Sequence, residues 1–212
     1  PEEVTPGVAN WYATTCAGCT ASCGLLVKVR DGRPIKIEGN ELLPINQGGV
    51  CAMGQAMVLS LYDDSRLKGP LWEGKGISWE EMDQKIITAL EDIVRKGGNV
   101  ALVSGTLVSP STRALVGEWL AKFPGSRHVV YDPVSVAAIP EANEKSFGVK
   151  VLPHYRIDLA KVVVGLGADF LGTWISPVEF ARAYAHCRRP DSEAGMLRHI
   201  QFESRMSLTG SN

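Results

Sequence analysis

The sequence has no excess of either charge, no long hydrophobic run and few cysteines. Its 22 basic and 23 acidic residues give a net charge of −1, so no surplus charge indicates a nucleic-acid partner. The apolar runs, such as residues 162–164, are far shorter than the roughly 20 residues that a membrane-spanning helix needs. Five cysteines are an odd number, which argues against a simple disulfide framework. The 212 residues therefore predict a globular chain with a buried core, without nucleic acid or a membrane span.

Four of the five cysteines form the pattern with the clearest chemical meaning. Cys16, Cys19 and Cys23 lie within eight residues, and Cys51 follows after a gap of 27 residues. Thiolates are soft donors, and four that converge can hold an iron–sulfur cluster or a structural zinc ion. Zinc sites usually pair two C-x2-C turns, whereas three ligands from one loop and one remote ligand suit a [4Fe–4S] cubane better. A zinc site and a metal-free fold stay open as alternatives, and Cys187 is predicted to be a packed bystander.

The residues between Cys23 and Cys51 predict a β-hairpin that brings the fourth thiol back to the first three. Two alternating segments, residues 25–30 and 35–38, flank Asp31-Gly32, and Asp-Gly favours a type I′ turn. Pro34 lacks a backbone N–H, which favours an edge strand. A short helix is predicted over residues 55–62. The buried face of the hairpin is predicted to consist of Val27, Val29, Ile35 and Ile37.

The remainder of the chain alternates helical and strand patterns. A capping box, Ser78 to Glu81, opens a predicted helix that ends at Gly97-Gly98. Short β-branched strands separated by amphipathic helices are typical of βαβ units. We therefore predict an α/β fold, with a small cysteine-rich β-hairpin/helix lobe (residues 1–70) followed by an incomplete doubly wound parallel sheet (residues 71–212). The predicted strands are residues 100–103, 129–131, 162–164 and 200–202, and the later predicted helices are residues 111–123 and 177–187.

Ligands of such sheets bind beyond the carboxyl ends of the strands. Three loops occupy that position: residues 104–106, 165–169 and 203–209. Glycine, serine and threonine in these loops could approach a phosphate, but none of the loops contains a full G-x-G-x-x-G. Ordinary strand-to-helix turns are therefore the preferred interpretation, and nucleotide contacts are the alternative.

Several short segments, spread over nearly the whole chain, carry a family pattern. They are Cys16-x2-Cys19-x3-Cys23-Gly24, the hairpin, Gly49-Val50-Cys51-x-x-Gly54, Arg66-Leu67-x-x-Pro70-Leu71, Ile77-Ser78-Trp79-Glu80-Glu81, residues 165–169 and Glu203-Ser204-Arg205-x-Ser207-x-Thr209. Together they resemble the N-terminal iron–sulfur domain of the molybdopterin oxidoreductases and the start of their pterin-binding α/β region. Members of that family are several hundred residues longer, so the resemblance implies an N-terminal piece of a larger subunit.

Two residues depart from the catalytic members of that family. Met53 stands where these members usually have Lys or Arg between cluster and pterin, although a methionine there is also read as a helix packing residue. Asp169 stands where an Asn often contacts the nucleotide, and a carboxylate repels phosphate. Residues 165–179 most resemble the molybdopterin-like subunits of alternative complex III and related membrane-bound quinone reductase complexes, which keep the fold without a molybdenum centre.

The resemblance implies an electron-transfer or scaffold part of a membrane-associated, quinol-oxidising oxidoreductase complex. Cys16, Cys19, Cys23 and Cys51 would bind one [4Fe–4S] cluster, no molybdopterin is expected, and no residue is assigned a catalytic role. The expected partners are the remainder of its own subunit, together with other iron–sulfur, haem or quinol-binding subunits, on the periplasmic side of the membrane. Two alternatives stay open: a fragment of a catalytic molybdopterin oxidoreductase, and a zinc-stabilised or metal-free interaction module.

Overall fold

The computed structural model describes residues 4–191 and 195–212. The chain forms two compact units, of which the first runs up to Leu59 and resumes at Val136, and the second comprises Ser60–Ser135. The domain boundary at residue 70 stays a prediction. Among the described residues, no helix combines the length and the apolar character that crossing a bilayer requires.

The first unit begins with a three-stranded antiparallel sheet. Its strands are β1 (Ala9–Thr15), β2 (Gly24–Arg30) and β3 (Arg33–Gly39), in the spatial order β1-β2-β3. The predicted hairpin is confirmed as β2–β3, and both turn residues have positive φ, 49° at Asp31 and 75° at Gly32, as a type I′ turn requires. β3 lies at an edge of this sheet, as its proline predicts. β1 has no counterpart among the sequence predictions.

A bulge in the hairpin changes which residues are buried. Val27 pairs with Ile37, but the register shifts after Lys28, so that Val29 pairs with Pro34 rather than with Ile35. An extra residue in one strand turns the side chains beyond it to the other face. Ile37 is buried whereas Ile35 is 44% exposed, so the prediction of a buried Ile35 is wrong.

The first unit continues through α1 (Ala52–Ser60) and resumes with a βαβ arrangement. α1 begins three residues before the predicted start. Strands β8 and β9 pair in parallel, and α5 lies between them in sequence with the bounds that were predicted. The elements after Val136 are α4 (Ala138–Phe147), a 3-10 helix (Ile157–Leu159), β8 (Val162–Leu166), α5 (Pro177–Cys187) and β9 (Arg198–Phe202).

The core of this region is aromatic. Phe180 of α5 is 2% exposed and packs with Ile157, Phe170, Tyr184 and Leu197. The Phe170 and Tyr184 ring centroids lie 5.8 Å apart in an edge-to-face arrangement, a favoured geometry for aromatic pairs. One face of α5 and the loop that follows β8 are therefore fixed by a single buried cluster.

The second unit has the same kind of parallel pairing. Its elements are β4 (Leu71–Trp72), β5 (Lys75–Gly76), α2 (Trp79–Arg95), β6 (Ala101–Ser104), α3 (Pro110–Leu120) and β7 (Arg127–Val130). The predicted capping box is confirmed, with Ser78 and Glu81 exchanging hydrogen bonds at the start of α2. β6 and β7 pair in parallel with α3 between them in sequence. The α/β fold class is confirmed, with the parallel strands in two two-stranded sheets.

Candidate metal centre

Three of the four predicted ligands lie in the connection between β1 and β2. Cys16 follows the last residue of β1, and Cys23 precedes the first residue of β2. The Cys16 N–H donates to the Cys23 carbonyl oxygen at 2.8 Å, and the Ser22 N–H donates to the Cys19 carbonyl oxygen at 3.4 Å. The sheet therefore fixes both ends of the loop, and Cys16, Cys19 and Cys23 share one short turn.

The fourth thiol, Cys51, lies at the start of α1. Its Sγ accepts a hydrogen bond from the Gly54 N–H at 3.4 Å, and its carbonyl oxygen accepts one from the Gln55 N–H at 3.1 Å. The positive end of the helix dipole favours a thiolate at this position. A Cβ at Gly54 would lie 2.7 Å from a methyl carbon of Val50, so the first turn has no room for a side chain there.

The four thiols act on one another electrostatically. Burial raises the pKa of the Cys23 thiol, and the charges of Cys19, Cys16 and Cys51 raise this pKa further. Each of the other three sulfurs is therefore close enough to Cys23 to oppose its ionisation. Four thiolates this close repel one another unless cations compensate their charge, and iron ions supply that charge. Cys23 is buried and Cys16 half-buried, whereas Cys19 and Cys51 are exposed.

The surroundings of the thiols fit a [4Fe–4S] cluster. The Gly18 N–H donates to Cys16 Sγ at 3.4 Å, which matches the prediction that amides of this loop point at sulfur and, with Gly54, makes two amide donors at the site. Within residues 4–191 and 195–212, no group of three or more Cys, His, Asp or Glu side chains is arranged to hold a single metal ion. The assignment of Cys16, Cys19, Cys23 and Cys51 as cluster ligands stays a prediction.

Two methionines of α1 differ from what the sequence indicates. The Met57 sulfur lies 3.7 Å from Cys16 Sγ, a contact that no motif in the sequence reveals because 41 residues separate the partners. Met53, read as a packing residue, is 77% exposed, so that interpretation is wrong for the described residues. Met57, rather than Met53, packs against the cysteine loop.

Cys187 lies apart from this site. Its Sγ donates to the Asp158 carbonyl oxygen at 2.9 Å, and burial raises the pKa of its thiol. The half-buried Cys187 is thus a hydrogen-bonded packing residue, which confirms its prediction as a bystander.

The three loops beyond the strands are held together by internal hydrogen bonds. In the second unit, the Asp132 carboxylate accepts from the Thr106 N–H at 2.8 Å and from the Thr106 hydroxyl at 2.5 Å. In the first unit, Asp169 Oδ1 accepts from the N–H and hydroxyl of the fully buried Thr209, at 3.0 and 2.8 Å. Glu203 accepts from the N–H and hydroxyl of Ser207, at 2.7 and 2.6 Å. Each loop carboxylate therefore fixes its own turn, as the preferred interpretation predicts.

Comparison with known proteins identifies the thiol-bearing region. Residues 9–63, which carry all four cysteines, match the model of the molybdopterin oxidoreductase Fe4S4 domain. The chain belongs to the molybdopterin oxidoreductase family. This match supports a [4Fe–4S] cluster in the first unit of the molybdopterin oxidoreductase chain.

Several curated members of the molybdopterin oxidoreductase family resemble this chain. The menaquinone reductase molybdopterin-binding-like subunit of Nitratidesulfovibrio vulgaris is 28% identical over 199 residues, which is 87% of this chain and 28% of the relative. The molybdopterin-containing subunit of the arsenate respiratory reductase of a Shewanella species is 32% identical over 38% of this chain and 10% of its own length. The dopamine dehydroxylase of Eggerthella lenta is 33% identical over 42% of this chain and 10% of its own length. The chain thus spans less than a third of each of these relatives.

Asp169, one of the departures from the family pattern, has both carboxylate oxygens engaged inside this chain. Oδ2 accepts from the Thr173 hydroxyl at 3.1 Å, and Oδ1 is bound by Thr209. A Cβ at Gly172 would lie 2.2 Å from Oδ2, so the carboxylate fills the space that this glycine leaves. Asp169 therefore joins the loop after β8 to the loop after β9, a role that its local sequence does not indicate.

This network predicts an acid dependence of stability. Burial alone would raise the pKa of Asp169, but hydrogen bonds from Thr209, Thr173 and Ser207 outweigh burial and hold the pKa below its ordinary value. A carboxyl whose pKa is lower folded than unfolded adds stability above the unfolded pKa of about 3.9 and loses that stability as the pH falls through the folded pKa. We expect the free energy of unfolding to fall on acidification below about pH 5, and to fall less steeply in Asp169→Asn. Urea unfolding at several pH values, followed by tryptophan fluorescence, measures both slopes, and equal slopes would contradict this role.

Proposed function

We propose that this chain is the iron–sulfur part of an electron-transfer subunit in a quinol-oxidising membrane complex of the alternative complex III type. The observation that carries the proposal is the four-thiol site in residues 9–63, the region that matches the Fe4S4 domain. Cys16, Cys19, Cys23 and Cys51 would hold one [4Fe–4S] cluster, which supplies one-electron transfer when bound. The name of the N. vulgaris relative, a molybdopterin-binding-like subunit of a menaquinone reductase, supports a quinone-linked role.

The residues of the chain supply position and access. The β1–β2 loop and the α1 N-terminus place the thiols, and amide donors at two of the sulfurs lower the negative charge that the protein presents there. Cys23 is buried, whereas Cys19 and Cys51 are exposed. We expect electrons to enter and leave through the exposed edge, because transfer requires a partner that approaches closely. The proposed partners are the remainder of its own subunit, together with other iron–sulfur, haem or quinol-binding subunits, and the proposed location is peripheral, on the periplasmic side of the membrane.

We further propose that the subunit has no molybdenum centre of its own. Met53 offers neither charge nor a hydrogen-bond donor where the catalytic pattern has a cation, and its side chain is 77% exposed. The Asp169 carboxylate is bound by Thr209 and Thr173, so it is not free to accept a hydrogen bond from a nucleotide without breaking the link between two loops. Both observations favour a scaffold over a pterin-dependent active site.

The test is elemental analysis of the complete subunit together with purification of its complex. An affinity-tagged complete subunit, isolated from detergent-solubilised membranes of the source cells, is expected to contain iron without molybdenum, tungsten or pterin. It is also expected to co-purify with quinol-oxidising activity and with cofactor-bearing subunits. Stoichiometric molybdenum or tungsten with pterin would favour the second candidate, a catalytic molybdopterin oxidoreductase. Isolation as a single soluble protein without quinol activity would contradict the membrane complex.

A further inference from the structure

A buried asparagine joins the two segments that carry the predicted ligands. Asn46 is fully buried. Its Oδ1 accepts from the Gly24 N–H at 2.9 Å, and its Nδ2 donates to the Gly24 carbonyl oxygen at 2.8 Å and to the Gly49 carbonyl oxygen at 2.7 Å. The Gly49 N–H in turn donates to the Asn46 carbonyl oxygen at 2.6 Å. Both amide protons and the amide oxygen are therefore engaged.

The partners of Asn46 lie next to the thiols in the sequence. Gly24 directly follows Cys23, and Gly49 lies two residues before Cys51. One side chain thus connects the backbone beside the third cysteine with the backbone beside the fourth. Apart from this connection, 27 residues of hairpin and loop separate the two cysteines.

The segment around Asn46 fits tightly against its neighbours. A Cβ at Gly24 would lie 2.6 Å from a methyl carbon of Leu43, and a Cβ at Gly39 would lie 2.3 Å from the Gly48 carbonyl oxygen. On its other side the segment contacts α5, where Arg182 donates to the Gln47 carbonyl oxygen at 2.5 Å. Close packing of this kind leaves little freedom to recover the lost geometry by a small shift.

We propose that Asn46 is a positioning residue that sets the place of Cys51 relative to the loop of Cys16, Cys19 and Cys23. This inference rests on the proposed function, because it concerns the geometry with which the four thiols meet a cluster. An amide is required because the site presents two carbonyl acceptors and one N–H donor. A carboxylate offers no N–H to the carbonyl oxygens of Gly24 and Gly49, and an alanine leaves all three groups buried without a partner.

The test compares Asn46→Asp and Asn46→Ser with Asn40→Ala in the anaerobically purified chain. Asn40 is a matched control in the same loop, because its side-chain oxygen accepts only one hydrogen bond, from the exposed Leu42 N–H at 3.0 Å. Three quantities are measured: the rate at which a chelator removes iron, the midpoint potential, and the EPR spectrum of the reduced protein. Circular dichroism establishes that each variant is folded.

We expect both Asn46 variants to lose iron at least about tenfold faster than the wild type, since each leaves buried groups unpaired. We also expect a shifted midpoint potential and altered EPR g-values for the clusters that remain, while Asn40→Ala matches the wild type. Faster iron loss with wild-type potential and g-values would mean general destabilisation and would overturn the proposal, as would failure of both variants to fold. A wild-type chain without a cluster would instead contradict the proposed function. A wild-type cluster that both Asn46 variants retain unchanged would overturn only the positioning role.

Discussion

Replacement of Cys23 by serine is expected to abolish cluster binding. Cys23 is the buried member of the four thiols, and the other three raise the pKa of its thiol, so it lies at the point where the four charges meet. A serine hydroxyl is nearly the same size but is a hard, neutral donor that binds iron poorly. Iron and acid-labile sulfide should fall from about four of each per chain to background, with loss of the visible absorbance.

The chain supplies its own control for this substitution. Cys187 is half-buried like Cys16, but its thiol donates to the Asp158 carbonyl oxygen and it lies outside the matched domain. Cys187→Ser should therefore retain wild-type iron and sulfide. Full iron content in Cys23→Ser, or equal losses in the two variants, would contradict the assignment of the ligands.

The second large effect is expected at Phe180, whose replacement by alanine should destabilise the first unit by about 3–5 kcal/mol. Phe180 is 2% exposed, and its ring lies 6.1 Å from that of Tyr155 and 6.0 Å from that of Trp174, measured between centroids. The substitution leaves a cavity among residues that hold α5 against the loop after β8. Urea unfolding of the chain, followed by tryptophan fluorescence, measures the change in the free energy of unfolding.

Phe147 is the matched control for Phe180. It is a phenylalanine at the end of another helix of the same unit, but it is 77% exposed. Phe147→Ala should change the free energy of unfolding by less than about 0.5 kcal/mol. If the two alanine variants unfold at the same urea concentration, the aromatic cluster does not stabilise the chain as described.

Features with a local cause could be predicted from the sequence. The turn at Asp31-Gly32 requires positive φ at adjacent residues, which an Asp-Gly pair accommodates. The start of α2 follows from an exchange of hydrogen bonds between Ser78 and Glu81, three residues apart. The bounds of α5 follow from a proline at its first residue and from its amphipathic pattern. In each case the residues that determine the structure lie within one or two turns of chain.

Features that depend on distant residues could not be predicted in the same way. Ile35 alternates correctly with Ile37, but a bulge set by pairing with β2 turns it outward. β1 gains its partner only across the cysteine loop. The four cysteines were evident because their chemistry and spacing are specific, whereas Asn46 and Met57 were not, because their partners lie 22 and 41 residues away.

The central claim is that four thiols hold a cubane cluster, and it is tested most directly on the chain purified without oxygen. Iron, sulfide and zinc are quantified, and the dithionite-reduced protein is examined by EPR. We predict about four iron and four sulfide per chain, a visible absorbance that bleaches on reduction, and an EPR signal from a reduced [4Fe–4S] cluster. A colourless protein with one zinc per chain, or with no metal after anaerobic reconstitution with iron and sulfide, would contradict the claim.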